Sequence, residues 1–240
     1  MEPFDFRGGE VILVDKPERW TSFGAVNVIR KIITRKTGVK VKVGHAGTLD
    51  PLATGLLVMC TGRATKTIDK LQESDKRYTG TIRIGATTPS FDLEQEINQT
   101  FDTSTVTDEA IHQAVSKLTG EIFQTPPAFS AKKIDGKRAY KHARKGREVK
   151  MRTTLVWVHE FKVESINRDD NGIDVGFDIV CSKGTYIRSL ANDLGKLLNN
   201  GAHLSALRRT HSGDFSVENA IHVDELKKQI DERGYRPMDP

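Results

Sequence analysis

The spacing of apolar residues predicts that the chain opens with a strand followed by a helix. The run EVILVDKP at 10–17 is mostly apolar and ends in a proline, which is typical of a buried strand. Ser22 can cap the helix that comes next, and Gly38 ends it. The face of this helix that we expect to be buried is formed by Phe23, Val26, Ile29 and Ile33.

The middle of the chain contains further elements of both types. GLLVMC at 55–60 is an unbroken apolar run and predicts a buried strand, with a short helix over 64–71 after it. YTGTIRIG at 78–85 alternates apolar and polar residues, as a half-buried strand does. Thr107 is suited to cap a helix that ends near Gly120.

The second half of the chain is richer in strands than in helices. Residues 154–166 and 172–181 flank the turn residues RDDNG and therefore predict a hairpin. A helix is predicted from Thr185 to Asn200, since its leucines recur with helical spacing. Because hairpins outnumber strand–helix–strand units, the predicted fold class is α+β.

Positive charge is concentrated in one segment. The chain has a net charge of +5, but residues 132–152 carry ten Lys and Arg against two acids, so the remainder is net negative. Clustered cations favour an acidic polymer as partner because they neutralise closely spaced phosphates. The alternative is a solvated helix face without a ligand.

The sequence lacks the patterns of several protein classes. Cys60 and Cys181 lie in apolar runs without a neighbouring cysteine, so neither a disulfide framework nor a zinc site is expected. The longest unbroken apolar run, Leu56 to Cys60, is far too short to span a membrane. Walker A, dinucleotide-binding and HExxH patterns are absent. We therefore expect a cytoplasmic protein that uses neither a metal nor a nucleotide cofactor.

One acid stands alone in a glycine-rich loop. GHAGTLDPLATG at 44–55 contains three glycines, and Asp50 is its single carboxylate. Glycines permit positive φ angles and a close approach of the backbone to a ligand. Such a loop suits a nucleophile or a general base that protrudes into a cleft. The alternative is an Asp-Pro turn whose acid bonds only its own backbone.

This loop is one of a series of motifs that occur in a fixed order along the chain. The motifs are VDKP at 14–17, GHAGTLDPLATGLL at 44–57, ATK at 64–66, DKRYTG at 75–80, QTPPAFSAKKIDGKRAYKHARKG at 124–146, CSKGTYIRSLANDLG at 181–195 and GAHLSALRR at 201–209. Together they resemble the TruB-type tRNA pseudouridine-55 synthases, in which the aspartate of GTLDP is catalytic. The resemblance covers nearly the whole chain.

This resemblance implies the pseudouridine synthase fold, with a mixed, mainly antiparallel sheet, flanking helices and a central active-site cleft. It implies isomerisation of uridine to pseudouridine at position 55 in the T-loop of tRNA, with Asp50 as nucleophile after base flipping. An isomerisation needs no redox or energy cofactor. We expect one catalytic domain over 1–240, with a basic RNA-binding segment near 124–152 and no C-terminal PUA domain. It is expected to act as a monomer on the T-arm of tRNA, without an obligate protein partner or a membrane.

The resemblance also assigns roles to other residues. Tyr78 matches the family tyrosine that stacks on the target base and takes part in its deprotonation, and Arg188 matches the arginine that pairs with the catalytic aspartate. A guanidinium would keep Asp50 ionised and orient it through a fork of donors. The residues expected to contact the flipped nucleotide are His45, Tyr78, Tyr186, Leu207 and Lys16. Those expected to contact the RNA backbone are Lys132, Lys133, Lys137, Arg138, Lys141 and Arg144.

Plainer roles stay open for several of these residues. His45 could bond locally in its loop, and Tyr78 could be an ordinary strand aromatic. Leu207 could belong to the core, and Lys16 could merely end a strand. Arg188, in the first turn of a helix, could be a surface arginine, although the helix dipole there disfavours a cation unless an acid is near.

One family pattern is altered, and two other functions stay open. Where the family has T-x-T-x-D-x-x-G, TPSFDLEQ at 88–95 keeps Thr88 and Asp92 but has Gln95 in place of the glycine. The first alternative function is a non-catalytic RNA-binding or RNA-folding module of the same fold. The second is a pseudouridine synthase that acts on another RNA.

Overall fold

A computed structural model of the chain describes residues 2–130, 132–134, 137–139 and 151–237, with only the backbone described at 133, 134, 137 and 138. The strands are β1 (Val11–Lys16), β2 (Val43–His45), β3 (Thr54–Thr61), β4 (Lys76–Ile84), β5 (Ala86–Thr87), β6 (Gln99–Thr100), β7 (Gly120–Gln124), β8 (Lys133–Ile134), β9 (Lys137–Arg138), β10 (Thr154–Asp169), β11 (Gly172–Cys181), β12 (Ala202–Ser212) and β13 (Phe215–Ser216). The α-helices are α1 (Ser22–Thr37), α2 (Ile68–Gln72), α3 (Asp108–Lys117), α4 (Ile187–Leu197) and α5 (Glu225–Arg233).

The chain forms two compact units. Unit 1 comprises Met1–Tyr78 and Arg208–Pro240, and unit 2 comprises Thr79–Leu207. The pairs β1–β3, β2–β3, β5–β6, β7–β10, β8–β9, β10–β11 and β12–β13 are antiparallel, whereas β12 runs parallel to β3 at Arg208↔Thr54 and Arg209↔Gly55. The mainly antiparallel α+β class predicted from the sequence is therefore confirmed.

Strand β3 is the centre of unit 1. It pairs with β1 from Val11↔Cys60 to Lys16↔Gly55, and with β2 near its end. All its residues from Leu56 to Cys60 are at most 1% exposed. The apolar run is unbroken because both faces of the strand are covered, which removes the usual alternation. One face packs against a cluster of partly buried apolar side chains, namely Leu13, Ile68, Leu71, Phe215, Val217 and Ala220.

Helix α1 follows the predicted period but begins differently from the prediction. Its N-cap is Thr21, whose hydroxyl accepts a hydrogen bond from the Gly24 N–H at 2.9 Å, and Gly38 ends it with φ of 74°. Ser22, the predicted cap, is instead buried at 2% exposure. Phe23 is 66% exposed and does not belong to the buried face, so the prediction was wrong for this residue.

Unit 2 is built on the predicted hairpin. β10 and β11 pair from Val158↔Cys181 to Asp169↔Gly172, and β7 adds to β10 at its other edge. The hairpin end is fixed by Arg83, whose Nη1 donates to Asp169 at 2.9 Å. Helix α4 begins at Ile187, two residues after the predicted start, and its buried face includes Leu190 and Leu194. No element had been predicted for 201–212, where the structure has β12.

Candidate active site

The residues singled out by the sequence divide between the two units. Unit 1 contains Lys16, His45, Asp50 and Tyr78, and unit 2 contains Lys132, Tyr186, Arg188 and Leu207. His45 ends β2, Tyr78 lies in β4 and Leu207 lies in β12; the side chains of all three are partly buried. The pairing of Arg188 with Asp50 stays a prediction.

The loop that carries Asp50 is anchored through its backbone. The Ser22 hydroxyl accepts a hydrogen bond from the Leu49 N–H at 2.8 Å and donates one to the Leu49 carbonyl at 3.0 Å. The Asp50 carbonyl accepts from the Ala53 N–H at 3.2 Å. The carbonyl of Pro51 accepts from the Arg19 N–H at 2.7 Å. The residues on both sides of Asp50 are therefore held in place, while Asp50 itself stays partly exposed.

Lys16 is a further anchor of this loop. Its side chain is 0% exposed, and its ammonium group donates to the carbonyls of Pro17 at 2.9 Å, Trp20 at 2.7 Å and Pro51 at 3.2 Å. Three acceptors use all three donors of an ammonium group. Burial lowers the pKa of Lys16 to about 8, and the negative charge of Asp50 opposes that shift. The attraction between the two charges thus offsets part of the cost of burying the ammonium group.

Arg209 supports the loop from β12. Its side chain is 1% exposed, and it donates to the carbonyls of Leu56 at 2.7 Å and Gly47 at 3.1 Å. Gly55 has φ of 98°, and a Cβ there would lie 2.3 Å from the Arg209 carbonyl oxygen. Only glycine allows β3 and β12 to approach this closely, so the glycines of the motif serve rigidity as well as conformational freedom.

Arg188 is buried at the start of α4 and has several partners inside unit 2. Its Nη1 donates to the Ser90 carbonyl at 3.1 Å and its Nη2 to the Phe129 carbonyl at 3.0 Å. Its Nε lies 3.6 Å from Oδ2 of Asp92. A buried cation in the first turn of a helix requires such compensation, because the helix dipole is unfavourable to it.

Asp92 is itself held in a turn made by the altered family pattern. Its Oδ1 accepts from the Glu94 N–H at 3.0 Å, and its carbonyl accepts from the hydroxyls of Thr88 at 2.6 Å and Ser90 at 3.1 Å. Gln95, which replaces the family glycine, donates to the neighbouring Glu94 carbonyl at 3.0 Å. The substitution therefore leaves these contacts of Thr88 and Asp92 in place.

Tyr186 is positioned by the side-chain amide of Gln124. The Tyr186 N–H donates to Oε1 of Gln124 at 2.7 Å, and Nε2 of Gln124 donates to the Tyr186 carbonyl at 3.1 Å. One turn further along, the Ser189 hydroxyl donates to the Thr125 carbonyl at 2.8 Å. The QTPPAFS segment thus holds the first turn of α4 through three of its residues, counting Phe129.

Only part of the basic segment lies within the described residues. Nζ of Lys132 donates to the Thr154 hydroxyl at 2.9 Å. The backbones of Lys133, Lys137 and Arg138 form the pair β8–β9, with Lys133 opposite Arg138. Lys141 and Arg144 lie outside the described residues. The prediction that these side chains contact RNA stays a prediction.

The described ranges contain neither a candidate metal centre nor a candidate membrane-spanning helix. No group of three His, Cys, Asp or Glu side chains there could hold a metal ion. No helix in the same part of the chain is long and apolar enough to cross a membrane.

Several residues of the site were assigned no role there by the sequence interpretation. Ser22 was interpreted only as a helix cap, and Gln124 and Arg209 appeared only as end residues of two family motifs. All three act on backbone groups distant in sequence, which the sequence does not reveal. Asp92 did have a signal in the sequence. An arginine in the first turn of a helix is favoured by a nearby acid, and Asp92 lies in the family pattern TPSFDLEQ.

Comparison with protein families identifies the chain. Residues 30–187 match the model described as TruB family pseudouridylate synthase (N terminal domain), and residues 188–237 match the tRNA pseudouridylate synthase B C-terminal domain. With the fold and the anchored aspartate loop, these matches define a pseudouridylate synthase. More narrowly, the chain belongs to the TruB family.

Curated relatives are similar over almost their full length. The chain is 52% identical over 232 residues to the tRNA pseudouridine synthase B of Flavobacterium johnsoniae, covering 96% of this chain and 100% of that protein. It is 49% identical over 230 residues to the protein of the same name from Phocaeicola vulgatus, covering 95% and 96% of the two chains.

Two solved structures with the same fold are those of larger complexes. The chain is similar to one in a Cbf5-Nop10-Gar1 complex, with a TM-score of 0.71, 31% identity and coverage of 96% of this chain and 58% of that one. It is also similar to one in an H/ACA RNP bound to a substrate RNA containing 2'-deoxyuridine, with a TM-score of 0.67 and 28% identity. The chain spans 57% of the length of that second chain.

Proposed function

We propose that this protein isomerises uridine to pseudouridine at position 55 in the T-loop of tRNA. Membership of the TruB family supports this, as do relatives named tRNA pseudouridine synthase B that match over nearly their whole length. The observation that carries the proposal is the position of Asp50, a carboxylate in a loop fixed by backbone hydrogen bonds on both sides. Fixed placement of a reacting group is a main source of rate acceleration.

Asp50 is the proposed nucleophile. The reaction breaks the bond between N1 and C1′, turns the uracil and joins C5 to C1′; the proton on C5 leaves and N1 gains one. Asp50 supplies the covalent step, at either C1′ of the sugar or C6 of the base. All atoms of the base and sugar are kept, so the reaction needs no redox or energy cofactor.

The other site residues bind and orient the nucleotide. A uridine in a folded loop must be flipped out of its stack, and aromatic and imidazole planes can replace the stacking that it loses. In this proposal Tyr78 stacks on the base and takes part in its deprotonation. Arg188 orients Asp50 through its fork of donors, and His45, Tyr186 and Leu207 contact the nucleotide. Lys16 is buried with all its donors used, so it supports the pocket by anchoring the loop that carries Asp50.

The proposed substrate complex is held by charge. The basic segment near 124–152, with Lys132, Lys133, Lys137, Arg138, Lys141 and Arg144, contacts phosphates of the T-arm and supplies affinity without sequence information. We assign the protein to the cytoplasm as one catalytic domain that acts as a monomer. It requires neither a metal nor an obligate protein partner.

The decisive experiment maps pseudouridine in tRNA. Purified protein is incubated with an unmodified tRNA transcript, and with the same transcript carrying cytidine at position 55. Because pseudouridine and uridine have the same mass, the products are first cyanoethylated with acrylonitrile, which labels pseudouridine selectively, and are then located by mass spectrometry. We expect one pseudouridine, at position 55, from the wild-type protein and none from Asp50→Asn. Asp69→Asn, an exposed acid of unit 1, is the matched control and keeps full activity. Product at another position, or only in another RNA, would contradict the proposed specificity, and no product in any RNA would favour a non-catalytic RNA-binding module.

A further inference from the structure

A cavity in unit 1 is lined almost entirely by cations. It has a volume of about 680 Å³ and lies where the second half of α1 meets the segment that follows it. One threonine and one valine complete a lining of five positively charged residues, Arg30, Lys31, Arg35, Lys40 and Lys42. All five are exposed, and the lining contains no acid.

The sequence around the cavity is free of negative charge. No Asp or Glu occurs between Glu18 and Asp50, and residues 30–42 carry six of the 37 Lys and Arg of the chain. The sixth cation, Lys36, does not line the cavity and is paired with Asp231 of α5. By contrast, none of the five lining cations has an ion pair within the described part of the chain.

The helix dipole accounts for only a small part of this charge. The C-terminus of α1 carries roughly half a negative charge, which favours a cation such as Arg35 in the last turn. Lys40 and Lys42 come after the Gly38 cap, and Arg30 lies in the middle of the helix. Five positive charges around one cavity repel each other, and a bound anion would offset that repulsion. A single phosphate has at most about two negative charges, so a polyanion matches the cavity better.

The position of the cavity in the chain indicates which polyanion. Lys42 directly precedes β2, and His45 at the end of that strand opens the loop that carries Asp50. At about 3.3 Å per strand residue, Lys42 and His45 are roughly 10 Å apart. We infer that the cavity binds phosphates of the substrate RNA that flank the nucleotide at Asp50. This contact is additional to the basic segment 132–152, and it rests on the proposed function.

The test compares two charge-neutralised variants of the full chain. Lys40→Gln/Lys42→Gln removes two cations of the cavity, whereas Lys117→Gln/Lys196→Gln removes two exposed helix lysines that do not line it. The dissociation constant for unmodified tRNA is measured by filter binding between low and moderate salt. For the cavity variant, we expect the slope of log affinity against log salt to become shallower by about 1.4 to 1.8, which is about 0.7 to 0.9 per lost phosphate contact. The control should keep the wild-type slope.

Further readouts separate this inference from the proposed function and from misfolding. Melting temperature and the single-turnover rate at saturating tRNA should stay as in the wild type, because the substituted side chains are exposed and touch no reacting group. Absence of wild-type turnover would refute the proposed function, whereas the slopes test the cavity alone. An unchanged slope in the cavity variant, or an equal loss in the control, would overturn the inference. Binding of both variants to phosphatidylglycerol vesicles is also measured. An unchanged slope together with lost vesicle binding by the cavity variant would assign the cavity to a membrane surface and overturn the inference.

Discussion

Arg188 and Asp92 form an ion pair in which both side chains are almost fully buried, at 2% and 6% exposure. The pair joins the turn before β6 to the first turn of α4, and the guanidinium also donates to the carbonyls of Ser90 and Phe129. Carbonyl oxygens offer only partial negative charge, so the Asp92 carboxylate offsets more of the cost of burying this cation than either carbonyl does.

Replacement of the buried acid should be costly for stability. We expect Asp92→Asn to lower the free energy of unfolding by about 3 kcal/mol, because it removes a buried negative charge that lies beside the Arg188 guanidinium. Asp108→Asn makes the same chemical change in an exposed pair with Arg168 and should cost less than about 1 kcal/mol. Urea denaturation of the two variants measures both values. Equal losses would show that Asp92 does not compensate Arg188.

The local elements of this fold were predictable, and the contacts between them were not. The 3.6-residue period of α1 and the turn between β10 and β11 each depend on residues that are neighbours in the sequence, and both predictions were confirmed. The α1 cap was wrong because Thr21 and Ser22 are both good caps, and the choice depends on Leu49, a residue of another segment. Strand β12 was missed since its Ala and Leu residues favour helix, and its pairing with β3 overrides that propensity.

The sequence predicted those residues of the site that lie in recognisable motifs and have a known role there. Asp50 stands out because it is the one acid of a glycine-rich loop, and the resemblance then supplies its proposed role. Gln124 and Arg209 act through backbone carbonyls and amides, which carry no sequence information. Asp92 was noted as a family position, but its partner Arg188 could be assigned only once both were placed in space.

The shape of the Arg188 head group should matter more than its charge. In Arg188→Lys, one ammonium nitrogen on a shorter side chain cannot reach Ser90, Phe129 and Asp92 at once. We therefore expect kcat to fall by at least about tenfold, with a smaller change in KM. Arg168→Lys, which alters an arginine with an exposed acid and one carbonyl as partners, should leave both constants unchanged. A change in KM alone would reassign Arg188 to binding of an RNA phosphate.

The lowered pKa of Lys16 gives the stability a distinct pH dependence. In the unfolded chain this lysine titrates near 10.5, and in the folded protein near 8, so between these values the unfolded state holds more protons. Stability from this group therefore rises as pH increases from about 8 to 10.5, and below pH 8 the full cost of burying the charge remains. We expect the wild type to gain stability relative to Lys16→Met across this range, by urea denaturation at fixed ionic strength. Lys228→Met, an exposed control, should give a constant difference. A difference between wild type and Lys16→Met that is flat or falls with pH would contradict the shift.

The hydroxyl of Ser22 should affect turnover through the position of Asp50. Ser22→Ala removes two hydrogen bonds and leaves the N–H and carbonyl of Leu49 buried without them, at a cost of about 1 to 3 kcal/mol. Thr21→Ala is the matched control, because it removes the N-cap hydrogen bond of the same helix, at a cost of about 1 kcal/mol, and the bond that it removes is made to Gly24 and not to the loop. Both variants should therefore melt at lower temperature than the wild type. Only Ser22→Ala should also lose kcat, by roughly tenfold or more, because a displacement of about 1 Å at a reacting group is enough for such a loss. Single-turnover kinetics at saturating tRNA, at a temperature where both variants are fully folded, separate the two effects. Equal rates for the two variants would mean that the loop keeps Asp50 in place without Ser22, and that Lys16 and Arg209 are sufficient anchors.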